Sequence, residues 1–135
     1  MYESHIRIRS TQVDQFGHLN NAAFLEIFEW ARWEWAESGN FSFKTAMKQR
    51  GLGPVVVHAD VSFRREVRFH ETVRIETTLE RCDSRKGVMH QRMLCENGDL
   101  ASEGRFSFVT LDLAQRRVVP LPDEIRALVE GIAEE

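Results

Sequence analysis

Val13-Asp14-Gln15-Phe16-Gly17-His18-Leu19-Asn20-Asn21 runs without a break into Ala22-Ala23-Phe24-Leu25-Glu26-Ile27-Phe28-Glu29-Trp30-Ala31-Arg32-Trp33-Glu34-Trp35-Ala36-Glu37. The second stretch reads as a helix over residues 22–37, because Phe24, Phe28, Ala31 and Trp35 recur at helical spacing. Leu25, Ile27, Trp30, Trp33 and Ala36 are apolar too, so little of the circumference is purely polar. A helix that is greasy on most sides must be covered on most sides. One sheet wrapped round it, helped by a partner subunit, meets that need. Upstream, Gly17 breaks the chain and Asn20 or Asn21 supplies the N-cap. Downstream, Gly39 in Ser38-Gly39-Asn40 serves as the C-terminal stop.

Outward from the helix the period changes. Residues 5–12 alternate weakly, Ile6 and Ile8 against Arg7 and Arg9, and read as a short strand. Residues 41–50 read as a second, shorter helix ahead of Gly51-Leu52-Gly53-Pro54. From 55 to 69 the odd positions are apolar, Arg65 excepted, and the even ones polar, which predicts one long half-buried strand. Val73, Ile75, Thr77 and Leu79 mark another. Asp83-Ser84-Arg85-Lys86-Gly87 is the turn into a strand over 88–96, and Asn97-Gly98 is a hairpin turn into a strand over 100–111. Pro122-Asp123-Glu124 opens a terminal helix reaching Val129. Strands segregated from one long helix indicate an α+β domain with an antiparallel sheet of about five strands curled round that helix.

Composition narrows the function. The 135 residues make one domain, large enough for a real core. A net charge of -3 argues against a nucleic-acid binder, which needs a basic surface. Cys82 and Cys95 show no metal-like spacing and fall out of register on a shared hairpin, so free thiols in a reducing compartment are expected. No apolar run approaches a membrane span, and Met1-Tyr2-Glu3-Ser4-His5 has no signal-peptide core; a cytoplasmic location is expected. There is no HExxH, no His/Cys cluster and no phosphate-cradling glycine loop, so neither a metal nor another cofactor is expected.

Asp14 carries the chemistry. A carboxylate becomes an effective nucleophile or base when it is held beside a polarised carbonyl. The first N–H groups of a helix lack intrahelical partners and carry partial positive charge. An oxyanion formed there is stabilised. The same residues also make an ordinary capped turn, since Asp and Asn are default turn residues. Gly17 allows a close backbone approach, and His18 follows it as a loop histidine. Glu26 and Glu29 are ordinary exposed helix residues on this reading, His58 and Asp60 sit on the polar face of the long strand, and Arg85-Lys86 is a basic turn.

Residues 13–21, continued by Phe24-Leu25-Glu26 and Glu29-Trp30-Ala31-Arg32, resemble the 4-hydroxybenzoyl-CoA thioesterase family of hot-dog-fold acyl-CoA thioesterases. Its signature is Asp-x-Asp-x-x-Gly-His-x-Asn-Asn, then an aromatic residue and a helix with an Ala-Arg pair. The resemblance implies a hot-dog fold, hydrolysis of an acyl-CoA, and a homodimer, often paired into a homotetramer, with active sites between subunits. It implies that Asp14 is the catalytic carboxylate, as nucleophile or general base. It places the carbonyl-polarising N–H at Asn21, gives His18 a variable duty and lets Arg85 and Lys86 contact the CoA phosphates. Related subfamilies use a helix carboxylate instead, which would fall on Glu26 or Glu29. The chain departs from the signature at Gln12, where the first Asp is usual. That departure removes a like charge from beside Asp14. A carrier-protein thioesterase, a hot-dog dehydratase and a non-catalytic acyl-CoA-binding module are the competing expectations; no convincing dehydratase signature is present.

Overall fold

The computed structural model describes residues 1–38 and 43–129. Strand β1 (Tyr2–Arg7) leads through a 3-10 turn (Ser10–Gln12) to helix α1 (Asn21–Glu37) and helix α2 (Phe43–Arg50). Strands β2 (Leu52–Phe63), β3 (Thr72–Cys82), β4 (Lys86–Leu94), β5 (Leu100–Asp112) and β6 (Arg117–Val119) follow, then the single-turn helix α3 (Asp123–Arg126). The six strands form one antiparallel sheet in the order β1-β3-β4-β5-β2, with β6 also on β5.

The helix sits where its sequence demands. Phe24, Ile27, Phe28 and Ala31 are buried on the face toward the sheet. They meet Val73, Ile75 and Leu79 of β3, Met89 and Met93 of β4, and Phe106 and Phe108 of β5. Each strand supplies alternate residues to that face, as period two requires. The Phe28 ring packs on Phe106 at 5.6 Å, and Phe24 meets Phe63 edge-on at 5.2 Å. The α1 face turned away from the sheet leaves Leu25, Trp30 and Trp33 about 40% exposed, the surplus apolar surface foreseen from sequence.

Several boundaries differ from the sequence reading, each for a physical reason. The first strand ends at Arg7, because residues 10–12 tighten into the 3-10 turn. The long strand stops at Phe63: the N–H groups of Arg64 and Arg65 both turn onto the Ala101 carbonyl, at 2.8 and 3.1 Å. Alternation continues beyond because Val67 is buried under the loop before α1, where its carbonyl accepts Leu19 N–H at 2.7 Å. Lys86 and Gly87 belong to β4 rather than to the turn. The glycine is needed there: a Cβ on Gly87 would lie 2.6 Å from the Phe108 ring. The sheet has six strands instead of about five, since β6 takes up the flank of β5 beyond Val109, where pairing with β4 ends. The terminal helix closes after one turn. The expected stop at Gly39 and the start of the second helix at residues 41–42 lie outside the described residues.

Cys82 and Cys95 are free and partly buried, and burial pushes both thiols up from the ordinary value. Among the described residues no helix is long and apolar enough to cross a membrane.

Candidate active site

Residues 12–20 form a miniature hairpin. Asn20 N–H donates to the Gln12 carbonyl at 3.0 Å, Val13 bridges Leu19, and Asp14 N–H donates to the His18 carbonyl at 2.8 Å. At its tip Gly17 adopts φ +78°, the left-handed conformation that favours glycine. A Cβ there would meet nothing within 4 Å, so the backbone angle explains the glycine and crowding does not. The ladder fixes Asp14 two residues of extended chain, about 7 Å, from the rung that starts α1.

The Asp14 carboxylate is organised from within the hairpin. Its Oδ1 accepts backbone N–H bonds from Phe16 at 2.9 Å and His18 at 3.2 Å. Its Oδ2 has no partner among the described residues, and the residue is exposed in the single chain. At the helix start Asn20 is the cap, its Oδ1 accepting Ala23 N–H at 2.8 Å. Asn21 is then the first helical residue, and its N–H and that of Ala22 have no acceptor inside the helix. One carboxylate oxygen and the electropositive end of a 17-residue helix therefore share one small loop.

Of the other sequence candidates, His18 holds Asp14 through its backbone while its Nε2 lies 3.3 Å from Glu66. Glu66 is a partner that no local spacing announced. Gln12 is buried: its Oε1 accepts Arg9 N–H at 2.7 Å, and its Nε2 has no partner. The amide at this position is thus committed to the 3-10 turn. Phe16 is 73% exposed at the loop tip, whereas Phe24 and Phe28 are core. Arg85 and Lys86 are not brought to the loop. They follow Cys82 at the far end of β3, whose 11 residues span roughly 30 Å.

A second polar cluster lies along α1. Arg32 donates to Gln91 Oε1 at 2.9 Å and stacks 4.2 Å over the Phe106 ring. Gln91, fully buried, donates onward to Thr77 Oγ1 and the Phe28 carbonyl, both at 3.0 Å. Burial draws the Arg32 guanidinium down to about 10, with Glu29 nearby opposing the shift. Arg32 and Glu29 border a cavity of about 370 Å³ that is otherwise apolar, walled by Trp33, Phe106, Phe108 and the start of β2. The signal for this network was an arginine within an apolar helix; its partner, 59 residues away, was not readable. A larger groove, about 610 Å³, runs between β1 and α1. Asp14 borders neither space.

A helix wrapped by an antiparallel sheet defines the hot-dog class of α+β proteins. The chain belongs to the thioesterase-like superfamily, which it matches over residues 8–129; thioester hydrolysis is the reaction class of that family. It is 28% identical over 130 residues to the long-chain acyl-CoA thioesterase FadM of Escherichia coli strain K12, covering 95% of this chain and 96% of that one. It is 23% identical to the acyl-CoA thioesterase YbgC of Haemophilus influenzae, covering 90% of this chain and 89% of that one. Among solved structures it superposes on YbaW, a probable thioesterase from Escherichia coli, with a TM-score of 0.84, 24% identity and coverage of 95% and 98%.

Proposed function

We propose that the protein hydrolyses an acyl-CoA to the free acid and CoA, with the thioester carbonyl seated at the start of α1. The observation that carries this reading is the Asp14 carboxylate: Oδ1 is pinned by two N–H groups, Oδ2 is open, and the hairpin ladder ties their loop to Asn20, the residue before Asn21. The carbonyl oxygen points at the Asn21 N–H. As the carbon becomes tetrahedral its oxygen takes up negative charge, and a donor so placed stabilises it by about 2.7–4 kcal/mol. Asp14 either attacks the carbon, forming an anhydride that water opens, or takes a proton from the water that attacks. In both routes the C–S bond breaks, the CoA thiolate leaves and is protonated, and water supplies the new oxygen of the acid. Gly17 keeps the loop tip open to substrate, and His18 holds Asp14 through its amide. No cofactor enters the reaction.

The acyl-CoA substrate is supported by the two curated relatives, both named acyl-CoA thioesterases. A homodimer, with pairing into a tetramer, is supported by the exposed apolar edge strand β2. Such an assembly covers the open site. Two free thiols fit a cytoplasmic setting.

The test is Asp14→Asn. Turnover of acyl-CoA should fall by a factor on the order of 10²–10⁴, with the unfolding curve and acyl-CoA binding retained. Hydrolysis at the wild-type rate would refute the assignment.

A further inference from the structure

The 610 Å³ groove between β1 and α1 has the composition of a nucleotide site. Arg7 and Arg9 line it from β1 and the residues just after it; Trp30 and one carboxylate, Glu34, line it from α1; Phe69 and His70 line it from the turn before β3. Its volume falls within the range of pockets that hold small ligands. No carboxylate pairs with Arg7 or Arg9 among the described residues, although both are exposed. Arg7 donates to His70 Nδ1 at 3.2 Å. A guanidinium has only donors, so that nitrogen is the acceptor and Arg7 keeps further N–H groups to offer. Trp30 and Phe69 each expose more than a third of their surface, giving aromatic faces for a base. His70 holds φ +75°, an uncommon angle for a residue with a side chain, kept while its ring lies 3.6 Å from that of Phe69.

The groove adjoins the candidate loop. Phe69 N–H donates to the Gly17 carbonyl at 3.1 Å, and Arg68 bridges His18. Trp30 lies nine residues beyond Asn21, about 14 Å along the helix. An extended pantetheine arm covers that distance.

We propose that this groove holds the phosphorylated adenosine end of the coenzyme A thioester, its purine against Trp30 and Phe69 and its phosphates on Arg7 and Arg9. The proposal rests on the acyl-CoA hydrolase reading and adds the place where the nucleotide is recognised. It assigns that role to cations on the same chain as the loop, not to the distant Arg85–Lys86 turn.

The experiment compares one acyl group on two carriers, CoA and pantetheine, the second lacking the nucleotide. For the double variant Arg7→Ser/Arg9→Ser, KM for acyl-CoA should rise roughly tenfold or more, with kcat kept. Its kcat/KM on acyl-pantetheine should equal that of wild type. Adenosine 3′,5′-bisphosphate should compete with acyl-CoA in wild type and lose that effect in the variant. An equal change on both carriers, no change on either, or a KM effect falling on Arg85→Ser/Lys86→Ser instead would overturn the proposal. So would impaired hydrolysis of acyl-carrier-protein thioesters with no binding of the bisphosphate, which would make the groove a protein-docking face. If wild type hydrolyses neither carrier, the hydrolase reading fails. Calorimetric titration of the bisphosphate into wild type and variant then still decides the groove, because it needs no turnover.

Discussion

Asn20 does two jobs within three residues of the helix start. Its side chain caps Ala23, and its amide closes the hairpin rung with Gln12. Asn20→Ala should therefore cost about 1 kcal/mol of stability, read from urea unfolding. It should also lower kcat more than it alters KM, because the cap fixes the direction of the Asn21 N–H. An unchanged kcat would show that the helix start does not need this anchor. The turn at Asp14 and Gly17 and the cap at Asn20 were legible in sequence because such chemistry is local: the Asp14 and Asn20 side chains act on backbone groups within a few residues, and Gly17 takes the left-handed backbone angle. His18 and Gln12 were less legible. The His18 ring pairs with Glu66, 48 positions on, and Gln12 is used by the turn behind it. Both partners arise only once the chain has folded back.

Helix α1 was readable at the scale of an element because its apolar residues so exceed one stripe that only a wrapping sheet could cover them. Strand β2 was readable as a strand but neither in its burial nor in its end: as the border strand it is exposed on both faces over residues 55–60 instead of half-buried, and Val67 continues the apolar pattern for a reason unrelated to pairing. The outer face of the sheet carries ion pairs that no pattern revealed, because partners sit across strands. Glu80 of β3 takes three bonds of 3.0–3.2 Å from Arg105 of β5, reaching across β4. The Arg105 hydrogen bond holds the Glu80 carboxyl below its ordinary value, against some burial, with the charges of Arg105, His90 and Arg81 adding. A depressed carboxylate stabilises the fold above its unfolded value, near 4.3 for free Glu, and loses that contribution as pH falls through the folded value. Glu80→Gln should therefore be less stable than wild type at neutral pH, by a small amount for so exposed a pair. The difference should shrink and vanish in acid. A difference that is constant with pH in unfolding titrations would exclude the pair as its source.

As a whole molecule, the chain is incomplete at one edge. β2 is the border strand, and Val55, Val56, Val57 and Phe63 are 40–56% exposed along it. An apolar free edge invites pairing. In the proposed dimer one copy meets another along this edge, and the open loop gains a wall. Val57→Lys should give a monomer in analytical ultracentrifugation and lose most acyl-CoA turnover; an active monomer would place the site wholly within one chain. The sheet curled round one helix was legible because period, turn signals and helix greasiness all agreed, and the resemblance carried by residues 13–32 made it a hot-dog fold. Assembly was only implied, since edge exposure depends on strand order. The most direct measurement is a crystal structure of the Asp14→Asn variant with an uncleaved acyl-CoA. The result expected is a thioester oxygen about 3 Å from the Asn21 N–H, with its carbon beside the side chain at position 14. A thioester lodged against Glu29 in the α1 cavity, away from that loop, would contradict it.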